Sequence, residues 1–227
     1  MAGRNGLQIA TSILGGDYLN FGESIRICER AGADIIQIDV CDGIFVPTIS
    51  FGEELIRRVS RATRLPVEAH LMVSRPEDWV RRLADCGAFR VIFHVEATRR
   101  AMGLVEDIEQ AGWKPGIAIN PETPASAIEP LLPYVDNVCI LGIAPGFSGR
   151  TLLDYTYLKI EDTRSLIERT GSSATITVDG GVKAANARQL VDAGADILVI
   201  SSWMFRHPEP AASLGEIRRI VAGEMNP

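Results

Sequence analysis

The hydrophobic and polar positions of this chain switch between two periods from one end to the other. Short aliphatic runs with no helical repeat predict buried strands, and amphipathic stretches of helical period separate them. The strands read at Gln8–Ser12, 35–41, Val67–Met72, Arg90–Val95, Gly116–Ile119, Asn137–Leu141, Thr175–Val178 and Ile197–Ile200. The helices read at Phe21–Arg30, Phe51–Arg61, Pro76–Cys86, Met102–Ala111, Pro124–Leu132, Thr151–Arg169, Lys183–Ala193 and Ala211–Ala222. The punctuation agrees with this division. Gly32 suits the left-handed position past a helix end, Pro66 stops the element before the third strand, and Pro76 fits a first helical turn. A helix–glycine–strand join recurs at 31–34, 86–89, 110–113 and 193–196. Eight such units with no linker predict one (β/α)8 TIM barrel spanning residues 1–227. A doubly wound open sheet is the alternative, but eight units and the lack of an early GxGxxG favour closure.

In a barrel of this kind chemistry collects at the C-terminal ends of the strands. Those positions hold Ser12, Gln37, Asp39, His70, Met72 and Asp179. Strand parity puts Gln37, Asp39 and Cys41 on one face and Ile36, Ile38 and Val40 on the other. His70 likewise shares a face with Met72, and Asp179 with Thr177 and Thr175. A buried carboxylate is costly unless it is paired, hydrogen-bonded or bound to metal. Two carboxylates and an imidazole at one mouth therefore suit a divalent cation, or proton transfer from two sides. Each residue alone is as well read as a satisfied polar group of the barrel or a turn cap; the set of three is harder to explain that way. His94 ends the fourth strand and reads as a residue one layer behind the mouth, and His207 as a surface residue.

A second group is rich in glycine and serine. Gly146, Phe147, Ser148 and Gly149 follow the sixth strand, Gly180 and Gly181 the seventh, and Ser201 and Ser202 the eighth. Backbone amides and hydroxyls at these strand ends suit a phosphate group.

Composition narrows the partners. The chain has 227 residues, 46% hydrophobic and 23% charged, with a net charge of −6. That charge argues against nucleic acid or an anionic membrane surface as a partner, and leaves room for a small anion held by local amides. No apolar run approaches the roughly 18 residues of a membrane span, and Met-Ala-Gly-Arg-Asn-Gly at the start lacks an apolar signal core. Cys28, Cys41, Cys86 and Cys139 are scattered without a CxxC pair, as expected in a reducing cytoplasm.

Several stretches in order resemble the ribulose-phosphate 3-epimerase family over nearly the whole chain. They are Ser-Ile-Leu (12–14) with Asp17, Asp-Val-x-Asp-Gly-x-Phe-Val-Pro (39–47), His-Leu-Met (70–72), Asn-Pro-x-Thr-Pro (120–124), Pro-Gly-Phe-x-Gly (145–149), Val-Asp-Gly-Gly-Val (178–182) and Ala-Gly-Ala-Asp (193–196). The resemblance implies a ribulose-phosphate-binding barrel, a phosphorylated ketose substrate and a homo-oligomer, dimer or hexamer. It also implies one divalent ion (Zn, Mn, Fe, Co or Mg) on Asp39, His70 and Asp179, with Asp39 and Asp179 as the acid and base of epimerisation. The family's strand-2 His falls on Gln37, so the fourth ligand position is changed, toward weaker zinc binding or a metal-free site. Further departures ring the same place: Thr11, Cys41, Thr48, Leu141, Arg150 and Ser201. The first expectation is interconversion of D-ribulose 5-phosphate and D-xylulose 5-phosphate. The alternatives are a related epimerase or isomerase of another ketose phosphate, such as allulose 6-phosphate or a tetrulose phosphate, and a non-catalytic phosphosugar-binding paralogue. The intact Asp39/Asp179 pair argues against the last.

Overall fold

The computed structural model describes residues 6–147 and 149–225. The start of the N-terminal stretch read for a signal core and Ser148 of the glycine-rich loop lie outside them. Eight parallel strands, β1 (Gln8–Ser12), β2 (Ile35–Cys41), β3 (Val67–Met72), β4 (Arg90–His94), β5 (Lys114–Ile119), β6 (Asn137–Leu141), β7 (Thr175–Asp179) and β8 (Ile197–Ile200), close into a barrel in chain order. The helices on its outside are α1 (Phe21–Ala31), α2 (Glu53–Ala62), α3 (Pro76–Arg82), α4 (Ala101–Gln110), α5 (Tyr155–Thr170), α6 (Ala184–Ala193), α7 (Ser202–Phe205) and α8 (Pro210–Ala222).

Strand parity divides the core in two. Outward-facing Ile36, Ile38, Val40, Leu71, Phe93 and Val178 join Ile25, Ile56, Leu104, Leu190 and Leu214 of the helices in one continuous apolar layer. The barrel interior is mixed, with small apolar clusters such as Ala10, Ile35, Ile197 and Val199 beside buried polar groups. Asn137 Nδ2 donates to Thr175 Oγ1 at 3.0 Å and Thr177 Oγ1 at 2.8 Å, so the two hydroxyls are satisfied inside the barrel as expected. Gly32 ends α1 at φ 80°, the left-handed conformation expected of it.

Four helical expectations need correction. Residues 124–132 do not form an α-helix but part of a 3-10 segment, Ala125–Tyr134, because Pro130 and Pro133 supply no N–H for α-helical bonds. The third helix stops at Arg82, and the chain turns through Asp85 (φ 62°) and Gly87 (φ 81°). The second begins at Glu53, since Phe51 instead packs edge-on against Phe21 at 5.2 Å and Tyr18 at 5.4 Å. The helix expected from Thr151 is α5 and begins at Tyr155, for a reason that belongs to the site. The short helix α7 was not expected. Among the described residues no helix is long and apolar enough to cross a membrane, and the four cysteines are buried and unpaired.

Candidate active site

The parallel register sets Asp39 beside His70, and strand parity turns both into the barrel mouth with Gln37, Ser12 and Asp179. Their polar atoms form one cluster. Ser12 Oγ donates to Asp39 Oδ2 at 2.5 Å, and Gln37 Nε2 donates to both Asp39 Oδ1 and Asp179 Oδ2 at 2.8 Å. His70 Nδ1 lies 3.0 Å from Asp39 Oδ1 and 3.5 Å from Asp179 Oδ2. His70 is fully buried and Asp39 nearly so, while the Asp179 side chain is 17% exposed and faces the cavity above. Burial opposes charge on Asp39, yet donors from His70, Ser12 and Gln37 hold its carboxyl below the ordinary range. Burial likewise opposes charge on His70, but hydrogen bonds to Asp179 and Asp39 carry the imidazole up to about 10. The cluster thus favours a positive charge at this place, between two carboxylates.

His94 lies behind this cluster, as its strand-end position suggested, with Nε2 3.0 Å from His70 Nε2. Phe45 covers its ring at a centroid distance of 4.8 Å. Burial pushes the His94 imidazole down to about 4. Glu96, which the sequence reading passed over, approaches His94 Nδ1 with Oε2 at 3.4 Å. The signal was available: a carboxylate two residues past a strand-terminal histidine is folded back by the 3-10 turn Val95–Ala97.

A cavity of about 400 Å³ opens over Asp39 and Asp179. Its walls include Ser12, Met72, Gly146, Phe147, Gly149, Gly180, Gly181, Ser201 and Ser202, every expected ligand-binding residue that is described. Arg150, Lys183 and Arg206 add positive charge on the same side. His207 also lines it and is no free surface residue: Trp203 lies 5.2 Å from its ring, and Glu216 Oε2 lies 3.2 Å from its Nε2. Thr48 Oγ1 donates to the Gly146 carbonyl at 2.5 Å, tying the loop after β2 to the loop after β6.

The glycines after β7 have a second reason to be glycine. Gly180 and Gly181 have φ 97° and 74°, and an added Cβ would come within 2.4 Å of Ile143 Cγ1 or 2.5 Å of Leu152 N. The chain just before α5 crosses here, with Leu153 N donating to the Gly142 carbonyl at 2.9 Å and Leu152 buried beneath. That crossing is why α5 begins at Tyr155 rather than Thr151.

The cluster suits a divalent cation. One ligand atom each from Asp39, His70 and Asp179 lies within 4.8 Å of the others, and two carboxylates with an imidazole are an accepted oxygen–nitrogen donor set. Gln37 turns its Nε2 toward both carboxylates, while its buried Oε1 has no hydrogen-bond donor among the described residues. Half a turn about the last side-chain torsion would exchange the two atoms and present an oxygen donor to the same place.

The profile of the Ribulose-phosphate 3 epimerase family matches residues 8–205. A ribulose-phosphate 3-epimerase of Aquifex aeolicus (strain VF5) is 34% identical over 94% of this chain and 96% of its own length. One from Chlamydia muridarum is 38% identical over 89% and 90%. The fold extends further: an orotidine 5'-phosphate decarboxylase from Pyrococcus horikoshii OT3 superposes with a TM-score of 0.68 over 95% of this chain and all of its own, at 16% identity. By profile and by sequence identity over nearly its full length, the chain belongs to the ribulose-phosphate 3-epimerase family.

Proposed function

We propose that the protein is a ketose-phosphate 3-epimerase interconverting D-ribulose 5-phosphate and D-xylulose 5-phosphate. The observation that carries this reading is the pair Asp39 and Asp179, brought from β2 and β7 to the floor of one cavity. Inverting carbon 3 of a 2-ketose requires removing a proton next to a carbonyl and returning one to the opposite face. Two carboxylates on separate strands can do both without releasing the enediolate, provided one is ionised when the other is protonated. Gln37 donates to both carboxylates alike, but Ser12 donates to Asp39 and favours its ionised form, which suits it to take the proton while Asp179 gives one. The return reaction exchanges the roles. Asp39 is buried, while Asp179 reaches the cavity, where its proton can exchange with water. The phosphate lies toward Gly146, Phe147, Gly149, Gly180, Gly181, Ser201 and Ser202, and fixes the sugar against the floor with binding energy remote from the reacting carbon.

A divalent ion on Asp39, His70 and Asp179 supplies electrostatic stabilisation of the negative charge developing on the substrate oxygens. Gln37 would be the fourth donor through Oε1, and a carbonyl oxygen is harder than imidazole. This favours manganese- or magnesium-like ions over zinc, compared with a histidine there.

The test is proton exchange at carbon 3 in heavy water across ribulose 5-phosphate, allulose 6-phosphate and a tetrulose phosphate, with metal content measured on the same sample. Deuterium at C3 accompanied by xylulose 5-phosphate is the expected result. Absence of exchange with every phosphorylated ketose overturns the reading, and equal turnover of free ribulose overturns the phosphate assignment.

A further inference from the structure

We propose that His94 and Glu96 are positioning residues for the ligating imidazole: Glu96 keeps the His94 proton on Nδ1, so that His94 Nε2 accepts from His70 Nε2–H and His70 Nδ1 is aimed at the carboxylate pair.

Two imidazole nitrogens 3.0 Å apart must share one proton between them, so one ring donates and the other accepts. The far side of His94 decides which. Its Nδ1 faces Glu96 Oε2 at 3.4 Å and lies near the Asn120 side chain, whose buried Oδ1 has no donor among the described residues. If His94 donated through Nε2, a bare Nδ1 lone pair would face a carboxylate and a carbonyl oxygen. Nδ1 makes no hydrogen bond of good geometry, so it is the field of the carboxylate 3.4 Å away that favours the proton on Nδ1 and leaves Nε2 to accept. His70 then carries hydrogen on Nε2. This is also the tautomer that a cation on Nδ1 demands, so the orientation is set before any ion arrives. Acceptors behind a ligating imidazole act in this way in metal sites generally.

Glu96 is itself held on its other oxygen. Oε1 accepts from Asn120 N at 2.8 Å and from the Thr123 hydroxyl. The carbonyls of Asn120, Pro121 and Thr123 in turn surround Lys159 Nζ of α5 at 2.8, 2.6 and 2.8 Å. A helix on the outside of the barrel thereby fixes the carboxylate that orients an imidazole at its centre.

The metal half of this inference rests on the proposed function; the tautomer half does not. Long-range 15N–1H spectra of histidine-labelled protein should show His94 as the neutral Nδ1–H tautomer. E96Q, whose amide can donate to Nδ1, should move His94 toward Nε2–H. Competition with a chelating dye should then show manganese or zinc bound about tenfold more weakly in E96Q, with kcat lowered and KM for the sugar phosphate within twofold of wild type. An Nε2–H tautomer of His94 in wild type overturns the proposal, as does wild-type metal affinity in E96Q. If wild type binds neither metal at micromolar concentration, the metal reading fails and the tautomer alone decides: Nδ1–H upholds the orientation and Nε2–H ends it.

Discussion

The barrel holds two charge clusters that share β3 and β4, and they are completed differently. At the N-terminal ends, Arg90 Nε lies 3.1 Å from Glu68 Oε2, Arg90 Nη1 lies 3.4 Å from Asp136 Oδ2, and Lys114 Nζ reaches Asp136 Oδ1 at 2.8 Å. At the mouth, two residues past Glu68 on β3 and four past Arg90 on β4, His70 and His94 take their place, His70 facing Asp39 and Asp179 and His94 lying behind it. The lower cluster is closed by a guanidinium that never gives up its charge, packed over the Phe89 ring at 4.7 Å. The upper cluster has two carboxylates and only a titratable imidazole and a neutral amide to hold them. Its positive charge must be acquired, as a proton or a cation, and can therefore be exchanged. One end carries its cation permanently, and the other is built to be recharged.

The largest expected effect breaks the upper cluster without harming the lower. D39N or D179N keeps the shape but removes one partner in proton transfer, and kcat should fall about 10³-fold or more, with the denaturation midpoint little changed. Near wild-type epimerisation by either variant would show that the pair is not the acid and base. R90M is the mirror experiment. It leaves Glu68 buried without its guanidinium and should cost about 3–5 kcal/mol in denaturant unfolding, while kcat of the folded fraction stays within a few-fold. A large loss of kcat at unchanged stability would mean the two clusters are not separable.

A smaller effect is expected from Q37H, which puts an imidazole where the amide now bridges Asp39 and Asp179. The side chains are of similar volume, so the fold should tolerate the change. Zinc affinity, read by competition with a chelating dye, should rise about tenfold and epimerisation of ribulose 5-phosphate should hold or increase. If zinc affinity rises while activity falls, Gln37 suits this chain to another metal or another ketose. If neither protein binds a divalent ion at micromolar concentration, the three remaining residues are not a metal site.

What the sequence revealed and what it hid follow from the same geometry. β1, β3, β6 and β8 begin and end where the apolar runs do, because a strand buried on both faces carries its signal in every residue. Parity also placed Asp39, His70 and Asp179 at one mouth. The same rule, applied one step earlier, puts Glu68 on the face of His70 and Arg90 on the face of His94; the lower cluster was legible and was missed. Two features were not legible. The packing of Leu152 over Gly181 joins segments with no local pattern in common. The direction of the Gln37 amide depends on a carboxylate that arrives from β7, far along the chain.

The smallest effect separates the clusters by pH. Burial raises the Glu68 carboxyl from an ordinary 4.5 to about 7, with Arg90 only partly opposing it. Neither Glu68 oxygen has a hydrogen-bond donor of good geometry among the described residues, which is why desolvation prevails. Between these two values the folded chain holds a proton that the unfolded chain has released. Glu68 therefore contributes stability that is full below about pH 4.5 and is lost as pH rises through about 7. A conventionally paired carboxylate has the opposite sign, losing stability as pH falls. E68Q cannot titrate, so the wild-type minus E68Q difference in unfolding free energy, measured by urea titration from pH 4 to pH 8, should decline steadily as pH rises. The level of that difference reflects the partner Arg90 loses in E68Q, and its slope reports the Glu68 proton alone. A difference that instead grows with pH would mean that Arg90 holds Glu68 ionised throughout, and that the lower cluster is fixed even against protons.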